Sequence, residues 1–224
     1  MSAQQTISKR SHYGAAIKVR YLLIIISITL SLLLGLKAWQ VYTAAQALRD
    51  DLRALEDAAA HPSRDQIMAL GPLLPRAHAD AVALRSTSAP LLPVARRMSW
   101  LPGYGVDIAA VPDLLEMAVG LTDGAESSYS AVMPALRPLA NGELAGTTLM
   151  QRLEAAQPDL LRAQQALAQA AEAGARVPQA QLSPELRAPL ARIDALLPAA
   201  RDGVTIALAL PDLLGAHGRH DYLV

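Results

Sequence analysis

The chain contains no cysteine. Disulfides, thiolate-bound zinc, iron–sulfur clusters and a thiol nucleophile are thereby excluded, while the compartment stays open, since envelope proteins also avoid cysteine. Phenylalanine is absent too, and aromatic residues amount to 4%. A core must then come mainly from Leu, Ala, Val and Ile, a repertoire that favours closely packed helices over a β-sandwich. No Asp or Glu precedes Asp50, whereas Lys9, Arg10, Lys18, Arg20, Lys37 and Arg49 do. Over the whole chain 20 basic and 20 acidic residues cancel to +0, which gives no reason to expect a nucleic-acid partner or an acidic substrate. With 224 residues, 52% of them hydrophobic, the chain is long enough for one large domain or two small ones.

What is there begins with a run of apolar residues. From Tyr21 to Leu36 the sequence is uncharged, and Lys37 to Tyr42 extends it with residues suited to a headgroup layer. A helix of about 20 residues at 1.5 Å per residue spans the roughly 30 Å of hydrocarbon. Tyr21, Trp39 and Tyr42 would lie near the two interfaces, and the basic residues ahead of the run would hold the N-terminus in the cytoplasm. The expectation is a single-pass protein of the plasma membrane: a basic cytoplasmic tail (1–20), a transmembrane helix (21–42) in contact with the lipid bilayer, and an extracytoplasmic remainder. A cleaved signal peptide ending near Ala45-Gln46-Ala47 is the alternative, against which stand Lys37 directly after the run and the long polar stretch before it. Ser27, Ser31 and Gly35 recur every fourth residue and could form a homo-oligomeric contact, though such a stripe also arises by chance.

Residues 43–210 read as an Ala/Leu/Pro-rich helical region, a bundle or a series of hairpins. Leu48, Leu52 and Leu55 mark a stalk, interrupted at His61-Pro62-Ser63 with Ser63 as a cap. A second helix runs to about Arg85, with Pro72 and Pro75 as points of bending, and a short helix lies within Pro90 to Met98. Ser99 to Gly105 has the Pro and Gly content of a fixed loop, in which Trp100 and Tyr104 are expected as packing pegs. Asp107 caps a helix from Ile108 to about Leu121, and another covers Ala125 to Leu139 before a turn at Asn141-Gly142. The next starts near Thr147 and stops at Gly174, its apolar side marked by Leu149, Leu153, Leu160, Leu161 and Leu167. Ser183-Pro184-Glu185 signs the start of the last, which carries Leu186, Leu190, Ile193, Leu196 and Leu197 and reaches at least Ala200. Pro-Asp-Leu-Leu occurs at Pro112, Pro158 and Pro211, but the flanking residues do not repeat with it. Val204 to Leu210 is too tightly bracketed by Asp202 and Asp212 for a second membrane crossing.

The chain offers little chemistry. His217, His220 and Asp221 are the one dense group of metal-ligand types, and with Gly215 and Gly218 among them a polar turn is the expected reading. Ser127-Ser128-Tyr129-Ser130 lacks a neighbouring base and reads as a polar helix face. Arg96-Arg97 beside Trp100 could meet a wall polymer or a lipid headgroup, with a solvated surface pair as the ordinary alternative. No catalytic, cofactor-binding or metal-binding residue is assigned, and no cofactor is expected.

The C-terminal stretch turns and then starts what reads as a strand. Leu213, Leu214, Gly215, Gly218, Tyr222, Leu223 and Val224, with the Leu101-Pro102-Gly103 loop and the order of tail, membrane helix and helical region, resemble the bacterial family called domain of unknown function 4012. The resemblance implies an envelope protein associated with cell-surface polysaccharide, with residues 211–224 as the entry to a C-terminal domain. The family's Glu-Leu-Arg stretch and paired glycines would follow Val224, and no catalytic residue carries over. The expected fold is mainly α, and the expected role is a non-enzymatic, membrane-anchored spacer and interaction region whose partner is an envelope protein or a cell-surface polymer. Two alternatives are the input region of a membrane sensor and the N-terminal part of a surface-polymer transfer enzyme without its catalytic domain.

Overall fold

Alanine and leucine recur at three- and four-residue steps through the second half of the chain, and the structure turns those steps into helix seams. The computed structural model describes residues 40–50, 53–54, 64–141 and 146–213, and the chain divides into two compact units, Met1–Thr43 and Ala44–Val224. In the first unit residues 40–43 are helical, with Thr43 Oγ1 donating to the Gln40 carbonyl at 3.0 Å. Positions 21–39 of the expected membrane segment lie outside the described residues, as do Ser27, Ser31 and Gly35. Among the described residues no helix is long and apolar enough to cross a membrane.

The second unit contains α1 (Arg64–Ser88), a one-turn α2 (Leu92–Ala95), α3 (Gly105–Asn141), α4 (Gly146–Arg176), a 3₁₀ turn (Gln179–Gln181) and α5 (Pro184–Leu213). No strand occurs among the described residues. The fold class is thus mainly α. The strand start expected after Leu213 lies outside the described residues, as does the Ser63 cap.

Successive long helices run antiparallel. α1 packs on α3, α3 on α4, and α4 on α5, while α3 and α5 scarcely touch each other. Two buried clusters follow this order. Ala110 and Met117 of α3 meet Ala170 and Ala173 of α4 and Leu182 and Leu190 near the start of α5. Further along, Ala131 meets Ala156, Leu160, Ala163 and Leu167, with Leu197 and Val204 from α5.

The α3–α4 seam is narrow because its residues are small. A Cβ on Gly120 would lie 2.8 Å from the Ala166 carbonyl oxygen and 3.0 Å from the Ala170 nitrogen, and one on Gly124 would lie 2.7 Å from Leu167 Cδ2. Glycine spaced at four on one helix, facing Ala163, Ala166 and Ala170 on the other, lets the two backbones approach closely.

Three expectations change here. The helices expected at Ile108–Leu121 and Ala125–Leu139 are one helix of 37 residues, because Thr122-Asp123-Gly124 does not break it. Asp107 does not cap that helix: it lies in the first turn of α3 and accepts the Ser183 N–H at 2.9 Å, tying down the entry to α5. Gly174 does not stop α4. It is buried two residues before the end, where a Cβ would lie 3.3 Å from the Met117 sulfur.

Pro184 opens α5 as expected, and the helix continues past Ala200 to Leu213. Pro72 and Pro75 lie inside α1, Pro112, Pro134 and Pro138 inside α3, Pro158 inside α4, and Pro189, Pro198 and Pro211 inside α5. Each such proline leaves the carbonyl four residues earlier without its helical donor. Two of these carbonyls are taken by the neighbouring helix. The Met68 carbonyl, orphaned by Pro72, accepts from Tyr129 Oη of α3 at 3.5 Å. The Pro134 carbonyl, orphaned by Pro138, accepts from Arg152 Nη1 of α4 at 2.5 Å.

Candidate functional site

Because α3 and α5 both lean on α4 and meet each other only in the cluster near Leu182, an open groove runs between them with α4 as its floor. Leu121, Ala125 and Val132 stand along one wall, Ile193, Leu196 and Val204 along the other, and Leu160 and Leu167 beneath. Each wall is a stripe at helical spacing, so the groove is a consequence of the same periodicity that makes the core. Its volume is about 470 Å³, within the range of small-molecule sites. The one polar side chain in it, Ser128, has its hydroxyl directed to the Gly124 carbonyl at 2.6 Å. Such walls can receive an apolar body, and they bring no acid, base or nucleophile to it. Leu196 at the rim is 68% exposed.

The α4–α5 turn closes one end of the unit through polar contacts. Arg187 Nη2 donates to the Ala180 carbonyl at 3.0 Å and the Leu182 carbonyl at 2.7 Å, and Gln179 Nε2 donates to Asp194. A polar cleft of about 230 Å³ lies beside the turn, lined in part by Gly174, Gln179, Asp194 and Arg201. Arg176 reaches back to α3, where Nε meets Asp113 at 2.9 Å and Nη2 meets Glu116 at 2.8 Å. The hydrogen bond that Arg176 donates to Asp113, aided by the charge of Glu116, holds the guanidinium pKa above its ordinary value, so it stays charged. The pair is solvent-facing and fixes geometry more than it adds stability.

At the same end, residues 89–104 join α1 to α3 through a run of turns. Leu91 N–H bonds the Ser88 carbonyl at 2.8 Å, Leu101 N–H the Met98 carbonyl at 3.0 Å, and Gly105 N–H the Leu101 carbonyl at 3.0 Å. Only glycine fits at 105, where a Cβ would lie 2.6 Å from the Met98 carbonyl oxygen; Gly103 has φ of +90°. Trp100 and Tyr104, expected as packing pegs, are instead 76% and 69% exposed. The loop seats itself through its own backbone at Gly105, which leaves its large side chains outside.

Other sequence candidates are dispersed. Ser127 to Ser130 is no solvated face: Ser127 is buried and 3.5 Å from Asp123 Oδ1, and the Tyr129 ring lies over Gly71 of α1. Arg96 and Arg97 are exposed beside Trp100. His217, His220 and Asp221 lie outside the described residues. Among the described residues no three His, Asp or Glu side chains converge as metal ligands would. His78 Nδ1 instead lies 3.3 Å from Thr122 Oγ1, whose hydroxyl is also within reach of the Ala118 and Val119 carbonyls.

No family model, curated protein or solved structure matches the chain. The site is therefore read from its geometry. Sequence reasoning had missed the groove because its walls look like ordinary core stripes. The signal that could have found it is that both α3 and α5 carry apolar residues on more positions than one neighbour, α4, can cover.

Proposed function

We propose that this chain is a membrane-anchored helical spacer of a cell envelope, acting by holding and presenting surfaces rather than by chemistry. The observation that carries the reading is the long antiparallel array: helices of 37, 31 and 30 residues, about 45 to 55 Å at 1.5 Å per residue, bound along their lengths by Gly/Ala seams and inter-helix hydrogen bonds. An array of that kind holds its two ends at a fixed separation. The uncharged run from Tyr21 to Leu36 behind a wholly basic tail supports the anchor, and the resemblance drawn on Leu213 to Val224 points to the envelope.

Alkaline extraction of membranes and protease treatment of intact spheroplasts test the reading together. The protein should stay with the lipid after extraction, and external protease should remove the helical region while leaving a short N-terminal fragment. Release into the alkaline supernatant would refute the anchor, and full protection of the helical region in intact spheroplasts would refute its export.

A further inference from the structure

The loop between α1 and α3 combines three properties. The first is exposure: Val94 is 60%, Trp100 76% and Tyr104 69% exposed, and Pro93 and Pro102 are also at the surface. The second is charge. From Ala81 to Val106 the chain carries Arg85, Arg96 and Arg97 and no Asp or Glu. The nearest acid on either side is Asp80 or Asp107, and the Asp107 carboxylate already accepts the Ser183 N–H at 2.9 Å. Arg96 and Arg97 have no ion-pair partner among the described residues. The third is rigidity, since the turns at 88–105 and the obligatory glycine at 105 fix the loop's path. Exposed rings on a fixed loop are presented rather than left over from failed packing.

We propose that this loop is a docking surface for an anionic lipid bilayer. Tryptophan and tyrosine favour the headgroup layer, where the ring is half in hydrocarbon and its N–H or O–H stays wet. Arginine pairs with phosphate through its planar fork, and the apolar Val94 and prolines can enter the acyl boundary. The composition also separates a bilayer from an anionic polysaccharide. The hydroxyls of a sugar polymer call for side-chain acceptors such as Asp, Asn, Glu or Gln, and arginine supplies donors only. Residues 89–106 contain none of these, with Ser99 as their one hydroxyl apart from that of Tyr104. A lipid surface asks only for cations, interfacial rings and apolar tips, and the loop has all three.

The surface is distinct from the membrane segment at 21–42, so it binds a bilayer in its own right. The test uses the full chain carrying Trp39→Phe, which leaves Trp100 as the sole tryptophan. The protein is assembled in nanodiscs of neutral phosphatidylcholine and mixed with vesicles of phosphatidylcholine with or without phosphatidylglycerol. Binding is read by co-flotation and by Trp100 emission. The expected result is flotation with the anionic vesicles only, a blue shift of Trp100 emission, and loss of both at high salt. Arg96→Ala with Arg97→Ala should weaken binding roughly 30-fold, at about 1 kcal/mol for each basic residue near the surface. Trp100→Ser should abolish flotation in a protein whose circular dichroism melt is unchanged.

Equal binding to neutral vesicles, or flotation without a shift in Trp100 emission, would overturn the proposal. So would a Trp100 shift produced by a soluble anionic polysaccharide but not by vesicles. A chain that fails to enter the discs refutes the anchor alone, because the vesicle titration is then read on the free protein.

Discussion

Two glycines inside long helices should respond to the same substitution in opposite directions. At Gly120 an added Cβ would lie 2.8 Å from the Ala166 carbonyl oxygen, 3.0 Å from the Ala170 nitrogen and 3.1 Å from the Ala170 Cβ. These are backbone and near-backbone atoms that cannot rotate away, so α3 and α4 must separate by several tenths of an ångström. Overpacking of this kind costs about 1–3 kcal/mol. The seam around it, with Ala163, Ala170 and Ala173 fully buried, loses part of its dispersion contact as well. Replacing Gly by Ala inside a helix returns roughly 0.8–1 kcal/mol of propensity. Gly120→Ala should therefore destabilise by up to about 2 kcal/mol net, once the propensity gain is set against the overpacking. At Gly203, in α5, nothing lies within 4 Å of the added methyl, so only the propensity gain remains, and Gly203→Ala should stabilise by roughly 0.5–1 kcal/mol. For a protein of this size each kcal/mol moves Tm by about 2–4 °C. Thermal and urea melts of the full chain, followed by far-UV circular dichroism in one detergent, measure both. A Gly120→Ala protein that melts at or above the wild-type temperature would remove the close α3–α4 seam from the account.

Two further perturbations probe the inter-helix bonds and the core. Arg152→Met should cost about 0.5–1 kcal/mol because it removes the donor to the solvent-exposed Pro134 carbonyl, and in a Pro138→Ala background, where a helical N–H returns to that carbonyl, the cost should fall by more than half; additive effects in the melts would show the bond to be incidental. Leu182→Ala, at a side chain 2% exposed, should cost about 2–5 kcal/mol in urea denaturation, whereas Leu196→Ala, 68% exposed, should fall within about 0.5 kcal/mol of wild type, and equal costs would refute the core assignment.

Much of the helix plan was legible in the residues. Ser183-Pro184-Glu185 marks the start of α5 because proline at the first position loses a donor that has no partner there anyway. The Ser99–Gly105 loop was legible from its Pro and Gly content. What misled was treating Gly174 as a stop and leaving a break at residues 122–124. Gly124 and Gly174 are interior helix residues kept small by a neighbour, Leu167 in one case and Met117 in the other, and nothing local distinguishes them from a cap. The exposed Trp100 was misjudged for a similar reason. A scarce aromatic is usually buried, and the glycine that turns this one outward, Gly105, acts through a carbonyl seven residues earlier. The groove depended on which helices touch, a property of the assembled array.

The carbonyls freed by proline bear on how the helices find their axial positions. A seam of alanines and leucines at three- and four-residue steps looks nearly the same after one helix slides by a turn, about 5.4 Å, so apolar packing alone leaves several alignments close in energy. The Met68 and Pro134 carbonyls break that sameness. Each is an acceptor without its helical donor, and Tyr129 and Arg152 reach them at one alignment. In a sequence this repetitive in composition, proline works like an index mark on a ruler: it sacrifices one helical bond so that the neighbouring helix can tell where along the rod it stands.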